Sequence, residues 1–156
     1  MGAGNPSPLK FLLSRNRHGA EGEGMVKRPR TLRLGSLNVR GCGVEGRMEE
    51  IGSMFERRRM DVLALSETKL KGKGEVMFGG VRGRKSGVNE RVRAREGVCL
   101  LVREELERFV KEWKEVSSRL MWVRMSLGCE RWVFVSAYGP YREEERDDLW
   151  EELRVC

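Results

Sequence analysis

The stretch Asp61-Val62-Leu63-Ala64-Leu65-Ser66-Glu67-Thr68-Lys69 decides the fold. Its early part is a short, nearly continuous apolar run, which predicts a β-strand that is buried on both faces. A strand of that kind needs another layer on each side of its sheet, so the stretch predicts an α/β domain. The run then changes to the polar residues Ser66 to Lys69. Ligands usually bind at such strand ends in open α/β sheets.

The residues before this strand predict its nearest neighbour. Residues 31–38 alternate apolar and polar side chains, as a strand does. The segment after Gly43 is helical by pattern, because four apolar residues recur at i, i+4, i+7 and i+11, namely Val44, Met48, Ile51 and Phe55. A strand, a crossover helix and a second strand form a unit whose two strands run in parallel. The carboxyl ends of both strands then meet at one edge of the sheet.

The rest of the chain predicts more strands and one more helix. Residues 69–96 are rich in Gly, Lys and Arg and predict a surface loop with one edge hairpin near Val76. Residues 109–116 fit a strand or a helix. Strands are predicted over residues 97–102, 120–125 and 131–138, with Gly128 in the turn between the last two. A final helix is predicted over residues 143–153, with Leu149, Trp150 and Leu153 as its apolar face.

Composition places the chain among basic globular proteins of one domain. It has 156 residues, 31 Lys+Arg against 24 Asp+Glu, and a net charge of +7. A basic surface attracts polyanions such as nucleic acid, although a merely soluble surface explains the charge equally well. No run approaches the roughly 20 apolar residues that span a bilayer, and no secretory signal is visible. Charge alone leaves nucleic-acid binding and a merely soluble surface as open alternatives. The short apolar runs predict no membrane partner, and the oligomeric state stays open; DNA as a partner is what the family resemblance described below implies.

The first thirty residues differ from the remainder in composition. Gly, Pro, Ser, Asn, Arg and Lys dominate residues 1–30, which predicts a disordered basic arm ahead of a domain over residues 31–156. The cluster at residues 27–30 fits a localisation signal, a phosphate-binding tail or a solvated leader. No two of the four cysteines have metal or redox spacing, so we expect free thiols in a reducing compartment, nuclear or cytoplasmic. These cysteines are Cys42, Cys99, Cys129 and Cys156.

Two polar residues at neighbouring strand ends form the candidate site. Asn38 ends the first predicted strand and Glu67 follows the second, so parallel pairing would place them side by side. An amide and a carboxylate offer the oxygen ligands that Mg²⁺ prefers. The alternative is that Asn38 caps a turn and Glu67 is a solvated strand end.

Four segments in register resemble a known family. LNVRG at 37–41, ALSETK at 64–69, EGVCLLV at 96–102 and SAYGP at 136–140 are similar in order and spacing to exonuclease-III-like apurinic endonucleases. These belong to the endonuclease/exonuclease/phosphatase superfamily. The resemblance is closest to endonuclease domains of non-LTR retrotransposons and to the craniofacial development protein 2 group, and it covers residues 31 to about 155.

The resemblance implies a fold, an activity and site residues. The implied fold is a four-layered α/β sandwich of the DNase I-like type, and the implied activity is metal-dependent cleavage of DNA phosphodiester bonds with Mg²⁺ or Mn²⁺. By position, Asn38 resembles the asparagine that organises the metal site, and Glu67 resembles the metal-binding glutamate. Tyr138 resembles the tyrosine near the scissile phosphate, although a core tyrosine at a strand end is the alternative. Arg40 stands where some members of the family have an acid and others have a phosphate-contacting arginine. Lys69 corresponds either to a phosphate contact or to a residue that supports the metal ligands from behind.

The family's later motifs have no counterpart in the sequence. A GDFN-like segment and a terminal aspartate–histidine pair are absent, and the single histidine, His18, falls in the predicted arm. We therefore expect a partial sandwich, truncated before its C-terminal half, that does not cleave DNA alone. We also expect one sheet face to lack its covering layer, which would favour aggregation. The other hypotheses are a non-catalytic basic module that binds nucleic acid or protein, and a degenerate reading frame that folds poorly.

Overall fold

A computed structural model describes residues 13–17, 31–140 and 143–154. Within these residues the helices are α1 (Arg47–Arg57), α2 (Glu104–Glu107) and α3 (Glu143–Arg154). The strands are β1 (Leu13–Arg17), β2 (Leu34–Asn38), β3 (Val62–Ser66), β4 (Lys73–Phe78), β5 (Val81–Ser86), β6 (Val98–Val102), β7 (Val110–Ser117), β8 (Leu120–Leu127) and β9 (Glu130–Ala137). Among the described helices, none has the length and apolar content to cross a lipid bilayer.

The strands form two sheets. One has five strands in the order β2-β3-β6-β5-β4, and the other has four in the order β1-β9-β8-β7. The β2–β3 pair is parallel, as the strand–helix–strand pattern predicts, and the other pairs of the five-stranded sheet are antiparallel. The hairpin predicted near Val76 is β4–β5, and it lies at the edge of its sheet.

Strand β3 is buried along its whole length, which confirms the prediction from its apolar run. Successive side chains of a strand point to opposite faces. Leu63 and Leu65 pack on the outer face with Ile51 and Phe55 of helix α1. Val62 and Ala64 face inward, toward the second sheet. The strand therefore holds the two halves of the core together.

The main core lies between the two sheets. The five-stranded sheet contributes Val62, Ala64, Val98, Leu100 and Val102, and the four-stranded sheet contributes Met121, Val123, Met125, Leu127, Phe134 and Tyr138. All of these residues are buried. The expectation of an uncovered sheet face is therefore wrong. The strands after residue 110 fold back over the first sheet and form the second layer from this chain's own residues.

Helix α3 covers the outer face of the four-stranded sheet. Leu149 is buried against Leu120, Trp122 and Val135, with Leu153 packed beside it. The predicted inclusion of Trp150 in this face is wrong, because its side chain is 44% exposed. Residues four apart share a helix face, whereas the next residue along is rotated by about 100°. The described layers are thus helix, sheet, sheet, helix.

Helix α1 begins later than the apolar spacing predicts. Its first residue is Arg47, and Val44 lies before it with 74% of its surface exposed. Gly46 precedes the helix with φ at 77°, a left-handed conformation that interrupts helical geometry. The stripe is therefore formed by Met48, Ile51 and Phe55.

Residues 13–17 fall inside the segment predicted to be a disordered arm. They form β1, which pairs antiparallel with β9, so for these five residues the structure gives a strand in place of disorder. Pairing at a sheet edge uses backbone N–H and C=O groups, which any sequence carries, so composition does not reveal it. The remainder of residues 1–30 lies outside the described residues.

A buried ion pair connects strand β5 to helix α2. Arg84 in β5 is 3% exposed and binds Glu107 through two hydrogen bonds of 2.6 and 3.0 Å. Its guanidinium carbon lies 4.5 Å from the ring centroid of Trp113 in β7. Residues 109–116, which fit a strand or a helix by sequence, form that strand. The cation–π contact therefore joins β5 of the five-stranded sheet to β7, an edge strand of the four-stranded sheet.

We predict that Phe134→Ala lowers the free energy of unfolding by about 3–5 kcal/mol, because Phe134 is fully buried between the sheets. Urea unfolding followed by circular dichroism measures this change. The control is Val92→Ala at a 52% exposed side chain, which should change stability by less than about 0.5 kcal/mol. Equal effects of the two substitutions would contradict a packed core between the sheets.

We predict that two thiols resist modification in the folded protein. Cys42 and Cys99 are buried, whereas Cys129 is exposed. Burial raises the pKa of Cys42 from 9.0 to about 11. Burial, and secondarily the neighbouring Cys42 thiol, raises the pKa of Cys99 further. Only the thiolate is nucleophilic, so neutral buried thiols react slowly near pH 7.5.

The measurement is a thiol titration of a Cys156→Ser variant with a chromogenic disulfide reagent, with and without denaturant. One thiol should react promptly in the folded protein and two more only after unfolding. Prompt reaction of all three would show that the cluster around Cys42 and Cys99 opens readily.

Candidate functional site

The structure brings Asn38 and the Glu67 segment to one edge of the five-stranded sheet. Asn38 is directly opposite Ser66 in the parallel ladder, and Glu67 follows Ser66. The ladder continues beyond both strands, because the backbone N–H of Val39 donates to the carbonyl of Ser66 at 3.0 Å. The predicted juxtaposition of the two strand ends is therefore confirmed.

The side chain of Asn38 organises the turn that follows it. Its Oδ1 accepts the backbone N–H of Arg40 at 3.1 Å, which is the turn-capping contact given as the alternative interpretation. An amide oxygen has two lone pairs, so this bond leaves one acceptor position. Turn capping and a ligand role are therefore compatible at this residue.

A hydrogen bond between Tyr138 and Glu67 joins the two sheets at the site. The phenolic O–H of Tyr138, just beyond β9, donates to Oε1 of Glu67 at 2.6 Å. Hydrogen bonds to an ionised carboxylate are short and stronger than neutral ones. Tyr138 is only 8% exposed and packs in the core between the sheets. The ring is a core residue, as the alternative proposes, and the hydroxyl fixes the orientation of Glu67.

Three predicted site residues have unusual backbone conformations. Arg40, Glu67 and Lys69 have φ values of 52°, 51° and 54°. Arg59 is the only other non-glycine residue with a positive φ in the described part of the chain. The left-handed region costs an L-residue roughly 1–2 kcal/mol. Such conformations persist where the surrounding structure enforces them, and they concentrate at functional sites.

Backbone hydrogen bonds between loops enforce these conformations. The N–H of Cys42 donates to the carbonyl of Thr68 at 2.8 Å, which ties the loop after β2 to the loop after β3. The backbone N–H of Thr68 donates to the carbonyl of Gly97 at 3.0 Å, and the backbone N–H of Lys69 donates to the backbone carbonyl of Glu96 at 3.1 Å. Three loops therefore meet around Glu67, and each restrains its neighbour.

Arg40 and Lys69 place two cations beside the Glu67 carboxylate segment. Both side chains are exposed, and neither takes part in an ion pair within the described residues. The Lys69 side chain lies beside the neighbouring loop. Its Cδ would be 3.4 Å from a Cβ atom placed on Gly41. Arg40 lines an open depression of about 620 Å³ between that loop and the start of α1. Glu45, Arg47 and Glu50 also line this depression, and Lys69 does not. The feature that Arg40 and Lys69 share is an exposed cationic group without an ion-pair partner among the described residues, and such groups can contact phosphate.

Arg119, in the turn between β7 and β8, is a site residue that the sequence patterns do not indicate. Its guanidinium contacts Glu96 at 2.6 Å and Glu145 of α3 at 3.0 Å, and it lies 5.7 Å from the ring centroid of Tyr138. The backbone N–H of Tyr138 also donates to the Arg119 carbonyl at 2.8 Å. A lone arginine in a turn has no sequence signal, because all of its partners are distant in the chain.

The oxygen donors at the strand ends do not form a closed metal-binding cage within the described residues. Within the described residues, no three His, Cys, Asp or Glu side chains lie close enough together to hold a metal ion. Mg²⁺ is commonly held by one or two carboxylates, several waters and substrate phosphates. Glu67 supplies one carboxylate, with Oε2 not engaged in the Tyr138 bond, and Asn38 supplies an amide oxygen.

No protein-family model matches the chain, and no curated protein sequence matches it.

We predict that Lys69→Gly is more stable than Lys69→Ala by about 1 kcal/mol. Both substitutions remove the charged side chain, but only glycine adopts a positive φ without steric cost. Chemical denaturation of both variants measures the difference.

The same pair of substitutions at Lys114 is the control. Lys114 is an exposed residue within strand β7, where glycine is expected to be about 0.5–1 kcal/mol less stable than alanine. The same order of stability at both positions would contradict strain at Lys69.

Proposed function

We propose that this chain binds the phosphate backbone of DNA at the carboxyl edge of its five-stranded sheet. Arg40 and Lys69 contact phosphate, and Glu67 with Asn38 holds a Mg²⁺ or Mn²⁺ ion there. In this proposal the domain is of the endonuclease/exonuclease/phosphatase type with a DNase I-like sandwich, similar to retroelement endonucleases. The helix, sheet, sheet, helix layering supports that assignment because it is the layering the resemblance implies.

One observation carries the proposal. Arg40, Glu67 and Lys69 make up three of the four non-glycine residues with positive φ in the described part of the chain, and they lie on two adjoining loops. A strand end that is only solvated would relax out of three backbone conformations that each cost free energy. Two cations and one carboxylate on adjoining loops with a fixed backbone conformation suit a phosphate group with a metal ion.

The metal would supply charge neutralisation at a phosphate oxygen. The other contacts of the proposed site come from side chains of this protein, and two of its residues hold the site in position. Tyr138 holds the Glu67 carboxylate in one orientation through the 2.6 Å hydrogen bond, and the Arg40 turn is fixed by Asn38. Preorganised groups lower the cost of ordering the site when a ligand binds.

Binding without turnover is the function that this geometry supports best. Hydrolysis of a phosphodiester needs a positioned water and a general base. Among the described residues the site has no histidine, and one oxygen of its Glu67 carboxylate is already bonded to Tyr138. Phosphodiester cleavage is the second candidate, favoured by the presence of a tyrosine–glutamate pair at the strand ends.

We predict salt-sensitive DNA binding that depends on the two site cations. The double variant Arg40→Gln with Lys69→Gln should reduce the slope of log Kobs against log salt concentration by about 2, one for each lost phosphate contact. Fluorescence anisotropy of a labelled random-sequence duplex measures this slope. The matched control is Arg57→Gln with Arg58→Gln, which removes two exposed cations at the far end of α1.

A nicking assay on supercoiled plasmid separates the two candidate functions. With Mg²⁺ or Mn²⁺ present, the plasmid should stay intact under the proposed function. Metal-dependent nicking that disappears in Glu67→Ala would establish the second candidate instead. Wild-type protein that does not bind duplex DNA at low salt would refute both.

A further inference from the structure

Residues 88–96 form a loop that lies against the candidate site, and we name it the arginine strap. Its first residue is bonded to the site loop, because Val88 accepts the backbone N–H of Gly72 at 2.8 Å. At its last residue, the backbone carbonyl of Glu96 accepts the backbone N–H of Lys69 at 3.1 Å. The Nζ of Lys71 donates to the Glu90 carbonyl at 2.8 Å. The strap is thus fixed at both ends to the loop that carries Glu67.

Two glycines permit this close approach. A Cβ on Gly87 would lie 1.9 Å from the carbonyl oxygen of Leu70, and a Cβ on Gly97 would lie 2.5 Å from Oγ1 of Thr68. Gly97 also has φ at 131°. Side chains at either position would push the strap away from the site loop. The position of the strap is therefore set by backbone contact at both of its ends.

The strap presents three arginines, Arg91, Arg93 and Arg95, to solvent. They alternate with Val92 and Ala94, so no acidic side chain separates them. Within the described residues none of the three guanidinium groups has an acidic partner. The acid at the end of the strap, Glu96, is already paired with Arg119 at 2.6 Å. The three charges therefore remain available to an external anion.

We propose that the arginine strap is a second phosphate-binding element that extends the site along a DNA duplex. The inference rests on the proposed function, because it assumes that the nucleic acid reaches the strand ends at Glu67. The three guanidinium groups bind phosphates that flank the one held by Arg40 and Lys69. Guanidinium forks match phosphate oxygens, and each neutralised phosphate releases condensed counterions.

The chemistry of the strap favours duplex DNA over single strands. Proteins that bind single strands combine a basic groove with aromatic side chains on which bases stack. The strap contains no aromatic residue. Among the described residues the exposed large aromatics are Trp113 and Trp150, on β7 and α3, and Arg84 already covers the Trp113 ring. Backbone contact without stacking is the mode by which duplexes are bound without regard to sequence.

The test compares two triple variants that remove the same charge. The strap variant is Arg91→Gln, Arg93→Gln and Arg95→Gln, and the control is Arg57→Gln, Arg58→Gln and Arg59→Gln at the end of α1. Each changes the net charge from +7 to +4, since 7 − 3 = 4. We expect the salt slope for a labelled 20-base-pair duplex to fall by about 3 in the strap variant and to stay unchanged in the control.

The outcomes separate the strap from the site. Equal salt slopes for the strap variant and the control would overturn the role of the strap. The proposed function would still stand in that case if the Arg40→Gln, Lys69→Gln variant showed its expected reduction of the salt slope. Wild-type protein without salt-dependent duplex binding would overturn both proposals. A single-stranded oligonucleotide of the same length is the second ligand, and a larger strap effect on it than on the duplex would overturn the choice of duplex. Far-UV circular dichroism verifies that each variant folds.

Discussion

The burial of β3 on both faces is the constraint on which the rest of the structure depends. Five residues with no exposed position need a layer on each side, and the free energy of apolar burial, about 25 cal/mol per Å², makes both layers necessary. Helix α1 supplies one of them. The four-stranded sheet supplies the other, and its outer face in turn requires α3. The same strand ends where its sheet meets solvent, so the element that organises the core also positions Glu67.

The site is built against local preference and is held by its surroundings. Left-handed conformations at Arg40, Glu67 and Lys69 oppose folding by a few kcal/mol together, which is a large share of a typical domain stability of 5–15 kcal/mol. The core between the sheets offsets this cost. Buried apolar area thus determines whether the strand ends retain a geometry that suits a phosphate group.

The sequence predicts most of the elements and the juxtaposition of Asn38 with Glu67. These follow from periodicity, from the parallel strand–helix–strand unit and from the polar change after Leu65. The features that the sequence does not predict depend on contacts between residues that are far apart in the chain. The covering of the inner sheet face, the role of Arg119 and the pairing of β1 with β9 arise only when the second sheet folds back over the first. Apolar type and spacing predict Val44 and Trp150 on the apolar faces of their helices, although the helix start and the helix rotation leave both exposed.

If a ligand binds the arginine strap, the contacts of Arg119 would link that binding to the docking of the last helix. The guanidinium group of Arg119, 26% exposed, forms ion pairs with Glu96 at the end of the strap and with Glu145 in α3. The same group lies over the ring of Tyr138. A ligand that displaces Glu96 changes the balance of that contact, and by reciprocity the docking of α3 changes the affinity of the strap. Partly exposed ion pairs contribute up to about 1 kcal/mol, so the coupling is small, and hydrogen exchange of the α3 amides with and without DNA would measure it. Identical exchange in both states would show that the two ends of this contact act independently.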